Sequence, residues 1–295
     1  MLQKRNILQN RIFSKEQSSM LNVMTVESFL SHCYRIPDAP VSLPLADEIF
    51  VRSWEEKDGR EVLAFLKEEF LLPVAGDMFK QTEALRIFFA ETLGGRIPVI
   101  ETGSHADFCR MEALLNGREK VKDLPMTVNA FTIQAQAKAI SRHRVILLGR
   151  APYSNVPAGL LGLGGEDWLR RSFRLRLAHE SAHYEMLRLF GGMQNHPLDE
   201  IAADALGQLA AFGSFSAERQ RLFFGLTRNS GVCSGRLSYY CRGFLPWDRP
   251  VICRAVDQAL DRIEEEVQGL TSSGSTRYEI LKKLAGTSIA ERLKQ

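Results

Sequence analysis

The sequence predicts an α+β fold, predominantly helical, with a small sheet ahead of a long central helix and a helical C-terminal half. Three observations carry this. Short runs rich in β-branched and aliphatic residues all fall before residue 150. From 166 to 190 apolar residues recur at helical spacing. Beyond that helix the apolar pattern stays helical to the C-terminus. The chain has 295 residues, 45% hydrophobic and 25% charged. That is ample for a sizeable core, and it excludes collagen-like, low-complexity and wholly disordered classes.

Taken in order, residues 1–24 read as a basic tail, with Lys4, Arg5, Arg11 and Lys15 ahead of the first acid, Glu16. The tail has no continuous apolar stretch of the kind a secretory signal needs. No apolar run reaches the roughly 20 residues required to span a bilayer, and a cytoplasmic protein is expected. Residues 25–125 read as a mixed helical region and 126–295 as a metal-binding region, with one continuous domain over 25–295 as the alternative. Spacing predicts a helix over 25–34, through Val26, Phe29, Leu30 and Cys33. Three prolines make 36–44 extended or loop. Helical spacing recurs over 60–70 (Val62, Phe65, Leu66, Phe70) and over 81–92 (Ala84, Leu85, Phe88, Phe89).

Residues 97–101 read as a short strand. Ser104 or Asp107 caps a helix that runs to Leu115. Strands are expected over 127–135 and 144–148, then a glycine-rich loop over 149–165. The strand over 144–148 is expected to be core or else an edge able to pair with an extended peptide. In the helix over 166–190, Glu166 and Asp167 suit the positive end of the dipole, and Gly191-Gly192 ends it. A second helix starts at Pro197 and reaches Phe212. Helices over 250–270 and 276–294 complete the chain.

Charge excludes some functions. The balance of 38 basic and 35 acidic residues, net +3, creates no general attraction to nucleic acid or anionic lipid. The run Arg170, Arg171, Arg174 and Arg176 is too small a field for nucleic-acid binding and reads as a solvated face. Five cysteines without a C-x-x-C pair argue for buried free thiols rather than a disulfide framework or a thiolate zinc site.

The six histidines are scarce, and two of them flank an acid in the helix over 166–190. Residues 179–183 read His-Glu-Ser-Ala-His. On a helix, positions i and i+4 differ by about 40° and one turn, so His179 and His183 can aim at one zinc ion. Glu180 stands about 100° away, where it can serve as the base that deprotonates a water on that ion. On the order of 0.01 chance occurrences are expected in a chain this poor in His. A catalytic zinc also needs a third protein ligand. Glu200 and Asp204 sit at i, i+4 on the next predicted helix, so Glu200 can complete the set. Asp204 can accept the remaining N–H of a ligating His. His196 is the rival third ligand. Position 189 is Leu189, which excludes the three-histidine metzincin spacing.

H-E-x-x-H followed by E-x-x-x-D over 179–204 resembles the gluzincin branch of the zincin metallopeptidases. The resemblance implies a zincin-like fold and a zinc-dependent hydrolase, with one Zn2+ per chain cleaving a peptide or protein substrate. It implies His179, His183 and Glu200 as metal ligands, Glu180 as general base and Asp204 behind His179 or His183. That family has Asn before the ligand Glu, where this chain has Asp199. It uses a downstream His or Tyr to stabilise the oxyanion, for which Tyr239, Tyr240 and His196 are the options. Arg176, one turn before the motif, is a candidate for a substrate carboxylate or a partner of Glu180. Two other readings stand beside this one. Glu180-x-x-His183 is half of a di-iron carboxylate site, but no second Glu-x-x-His occurs. The other is a closed, structural zinc site with no catalysis.

Overall fold

The computed structural model describes residues 24–38, 41–57, 59–75 and 77–294. The tail predicted for 1–24 lies outside them except for Met24. The expected α+β class with a small sheet is what forms. Helices α1 (Val26–Leu30), α2 (Val51–Glu55) and α3 (Val62–Phe70) precede strands β1 (Arg86–Thr92) and β2 (Gly95–Thr102). Helix α4 (His105–Leu115) leads to β3 (Ala130–Gln134) and β4 (Arg144–Gly149). Helices α5 (Gly165–Phe190), α6 (Pro197–Phe212), α7 (Ala217–Phe224) and α8 (Arg236–Tyr240) follow. Helices α9 (Arg249–Ser272), α10 (Arg277–Gly286) and α11 (Ile289–Arg292) close the chain.

The four strands make one sheet in the order β1-β2-β4-β3. β1 and β2 form a hairpin with Ala90 opposite Ile97, β2 runs parallel to β4, and β3 runs antiparallel to β4. The sheet thus joins the segments before and after residue 125. Two expectations are corrected here. The segment 81–92 is not a helix but a short 3-10 turn followed by β1. Both faces of β1 are covered: Ile87 and Phe89 pack with the Trp54 cluster, Phe88 and Ala90 with Ile146, Leu148 and Tyr184. A strand apolar on both faces loses the polar alternation that would have marked it. For strand 144–148 the edge reading is corrected and the core one holds: β4 lies between β2 and β3, and its residues Val145 to Leu148 are fully buried. The edge is β3. Gly149 N–H donates to Asn129 O and Ala135 N–H to His143 O. Odd-numbered residues of β3 therefore pair with β4, and the backbone groups of Ala130, Thr132 and Gln134 point off the sheet.

A third correction concerns sulfur. Cys233 and Cys253, 6.4 Å apart at Cα, pair as a disulfide, while Cys33, Cys109 and Cys241 are free thiols. Their spacing of 20 residues carries no sequence signature; the fold brings the loop after α7 onto the start of α9. The helix expected over 276–294 is broken at Thr287, where Ser288 starts α11 with a second capping box. Among the described residues no helix is long and apolar enough to cross a membrane.

The largest core cluster gathers α6, α9, α10 and α1 around the C-terminal half of α5. Helix α6 is buried from Pro197 to Gln208, its polar Asp199, Glu200, Asp204 and Gln208 included. Glu185 on α5 accepts from Leu93 N–H at 3.1 Å and from Arg277 Nε at 3.0 Å, which ties the hairpin and α10 to this helix. α5 and α6 approach closely where Gly207 faces Leu175. A Cβ at 207 would stand 2.9 Å from the Leu175 carbonyl oxygen and 3.0 Å from its Cδ2. On an open helix surface Gly→Ala stabilises by about 1 kcal/mol. Here we expect the opposite sign: Gly207→Ala lowers the urea unfolding free energy by about 1–3 kcal/mol, because the two helices must part.

Candidate metal centre

The site is built where α5 crosses α6. His179 and His183 leave α5 one turn apart, and Glu200 rises from the first turn of α6. The Nε2 atoms of the two histidines stand 3.0 Å apart. Glu200 Oε2 lies 3.6 Å from His179 Nε2, and its Oε1 lies 3.6 Å from His183 Nε2. Three donors at about 2.0–2.2 Å from one tetrahedral ion stand about 3.3–3.6 Å from each other. The triangle is therefore of the size a single divalent ion requires. His179, His183 and Glu200 form one of three groups of potential ligands among the described residues. The other two are Cys233, Cys241 and Cys253, and His32, His196 and Asp199. Neither contains a second Glu-x-x-His.

The donor set also has the right orientation chemistry. Asp204, one turn after Glu200, is completely buried and accepts from His179 Nδ1 at 2.8 Å. That hydrogen bond puts the His179 proton on Nδ1 and leaves Nε2 as a lone pair aimed at the triangle. Asp204 takes three further donors: the Tyr153 hydroxyl, Gln220 Nε2 at 2.6 Å, and an Nη of Arg236. Burial alone would raise the Asp204 carboxyl, but Arg236 and His179 outweigh it and hold it well below the usual carboxylate range. Burial opposes protonation of His179 too, and Asp204 overcomes it, so His179 is shifted upward. His183 has no such partner. Its buried Nδ1 is without a hydrogen bond among the described residues, and burial reinforced by His179 keeps it well below its ordinary value.

Glu180 is buried beside the triangle and does not belong to it. Its Oε2 accepts from Thr132 Oγ1 at 2.8 Å, and the same hydroxyl lies 3.0 Å from the Glu180 carbonyl oxygen. The edge strand thus holds this carboxylate in place. Burial raises its pKa, countered by His179 and by the Thr132 hydrogen bond. A carboxyl moved upward is better suited to exchanging protons near neutral pH.

The structure sorts the remaining sequence candidates. Burial and the nearby Glu200 charge hold the Tyr240 hydroxyl well above its ordinary value, which puts Tyr240 beside the site. Tyr239 is turned away, half-buried against Tyr240 and under the Arg242 guanidinium. Arg176 donates to the Pro152 carbonyl at 2.8 Å and lies over the Tyr153 ring, where it supports the loop that carries Tyr153. His196 does not join the triangle. It caps α6, with Nδ1 accepting from Leu198 N–H at 3.0 Å and Nε2 donating to Phe29 O at 2.9 Å. Asp199 faces Tyr34 and Gln194 N–H rather than the triangle; burial pushes it up to about 7.

Two residues of the site have no signal in the sequence. Tyr153, in the loop after β4, donates to Asp204 and accepts from Arg236 at 2.7 Å. Arg236, the first residue of α8, spans Asp204 and Tyr153, and its Nε lies 3.8 Å from Glu200 Oε2. That Nε–H is buried without a hydrogen-bond partner among the described residues. Burial works against the Arg236 charge, but Asp204, Tyr153 and Glu200 together hold it well above its ordinary value.

Residues 128–291 match the model of a protein family of unknown function, DUF7005, and the chain belongs to that family. No curated protein and no solved structure matches it. The matched span contains β3, α5, α6 and Arg236, that is, every residue of the site.

The assignment of His196 as a cap has a measurable consequence. Burial, reinforced by His32, lowers its pKa from 6.5 to about 3 in the folded chain. Between those values the unfolded chain binds a proton that the folded chain refuses. The His196 contribution to stability is thus complete above pH 6.5 and falls as pH drops through it, by about 2 kcal/mol between pH 7 and 5. Asp199, raised to about 7, acts with the opposite sign, so the comparison is with a variant. Relative to His196→Asn, which keeps a capping side chain, the wild type loses about 2 kcal/mol on that pH change. Urea unfolding with chelator present at both pH values measures it.

Proposed function

We propose that this chain is a zinc-dependent hydrolase of the gluzincin kind, cleaving a peptide or amide bond. The observation that carries the proposal is the convergence of His179 Nε2, His183 Nε2 and the Glu200 carboxylate, with the Glu180 carboxylate beside them and outside the triangle. Three protein donors leave a fourth position of a tetrahedral ion open, which is the mark of a catalytic site rather than a structural one. Bound there, zinc supplies Lewis acidity toward a water and toward the carbonyl to be cleaved.

The chain's own residues supply the rest. Glu180 accepts the proton of the attacking water and passes it to the departing amine. Thr132 holds the Glu180 carboxylate in position during that transfer. Arg236 Nε–H, close to Glu200 and without a hydrogen-bond partner among the described residues, is a ready donor to an oxygen that gains negative charge. A peptide substrate can lie extended along β3, taking up the outward backbone groups of Ala130, Thr132 and Gln134. That edge carries Thr132, so a peptide paired with it runs past Glu180.

Two substitutions separate binding from chemistry. Glu180→Gln keeps one zinc per chain by metal analysis and lowers turnover of a fluorogenic peptide mixture by at least about 100-fold; full activity in that variant overturns the mechanism. Asp204→Asn lowers zinc affinity by about 10–100-fold in competition with a chromophoric chelator, because His179 loses its orienting acceptor.

A further inference from the structure

The opposite face of α5 borders a second site. Arg170 and Arg174 each stand nine residues before a metal-site histidine, about 180° around the helix from His179 and His183 respectively. With Phe173 they form one wall of a cleft of about 700 Å³ at the start of β1, whose other lining residues include Lys57, Arg86, Arg150, Ile87 and Phe88. A volume of this size suits a small molecule.

The charge in the cleft is one-sided. Five cations line it and a single acid, Glu101, whose side chain is buried and taken up by Arg150 at 3.2 Å. Arg170 pairs with Asp167 on its own helix. Lys57, Arg86 and Arg174 have no ion pair among the described residues. Like charges gathered on a concave, partly apolar wall repel one another, and an anion relieves that repulsion. Four of the five cations are arginines, whose planar forks match phosphate oxygens two at a time. The apolar lining lies on both faces of β1, Phe88 and Phe173 on the side of α5 and Ile87 with Val62 and Leu85 on the other; Ile87, Phe88 and Phe173 are half-buried.

We propose that this cleft binds a small phosphorylated ligand that carries a flat apolar group, of the nucleoside diphosphate class. The guanidinium groups of Arg86 and Arg174 take the phosphates, and the flat group lies against Phe88 and Phe173. The site is separate from the metal triangle and does not depend on the hydrolase reading.

Calorimetric titration of the full chain with ADP tests it, at 0.15 M salt and with EDTA present so that no bound metal can hold the phosphates. The expected result is saturable binding of one ADP per chain, tighter than that of inorganic pyrophosphate. Arg86→Glu and Arg174→Glu, both at exposed positions, each weaken it at least tenfold. Arg262→Glu, on the surface of α9, leaves it unchanged. Three results overturn the proposal. ADP binding that appears only when zinc replaces EDTA puts the phosphates on the metal centre. Binding unaffected by either cleft variant places it elsewhere. Saturable binding of hexaglutamate without binding of ADP or pyrophosphate assigns the cleft to an acidic peptide instead.

Discussion

The buried carboxylate of Asp204 is the interaction on which the candidate site depends. A carboxylate with no exposed surface costs several kcal/mol unless donors surround it. The donors arrive from four separate places: His179 on α5, Tyr153 in the loop after β4, Gln220 on α7 and Arg236 on α8. Each must be in place for the others to be tolerated, so one charge fixes the relative positions of four segments. It is not an efficient source of stability, since an apolar core of the same volume does as well or better. What it provides is orientation: His179 is held by Nδ1 with Nε2 free, and Arg236 is held by two of its nitrogens with Nε free.

Arg236 is delivered by local backbone geometry. Between α7 and α8 the chain turns back on itself through a bridge between Leu226 and Cys233, and Gly225 comes against Gly235. Gly225 has φ +64°, and a Cβ there would stand 2.5 Å from the Gly235 Cα, so neither conformation nor space admits a side chain. The disulfide between Cys233 and Cys253 fastens the same turn to the first residues of α9. Arg236 follows Gly235 immediately and is thereby aimed at Asp204 and Tyr153.

These facts explain which parts of the site could be read in the sequence. His179, Glu180, His183, Glu200 and Asp204 stand on two helices whose spacing is local, so periodicity alone puts each on its proper face. Tyr153 and Arg236 are ordinary residue types in a loop and a five-residue helix, and their positions are set by contacts across more than 50 residues of chain. His196 is a scarce histidine close to the motif. The Pro197 that follows it was the better guide, since Pro at the first helical position makes the residue before it the cap. The sheet was half legible. β2, β3 and β4 are short β-branched runs, whereas β1 is apolar on both faces, and its Phe88 and Phe89, with Leu85 just before it, imitate a helix. Edge and core strands carry no distinct composition here, so the open edge at β3 emerges only from the pairing order.

Helix α5 presents three surfaces with three different tasks. One carries the metal donors, one packs Phe173, Leu177 and Tyr184 on the sheet, and the third carries Arg170 and Arg174. The nine residues between Arg174 and His183 place them about 13 Å apart along the axis. Energies of substitutions more than about 7–10 Å apart without shared partners add independently. Arg174 shares no hydrogen-bond partner with His183, so changes in the cleft leave the donor triangle as it is. Arg176 is the exception on this helix. It touches the loop that carries Tyr153 and, through that loop, the Asp204 network. A substitution at Arg176 therefore disturbs the metal donors without contacting them, whereas one at Arg174, two residues earlier, does not.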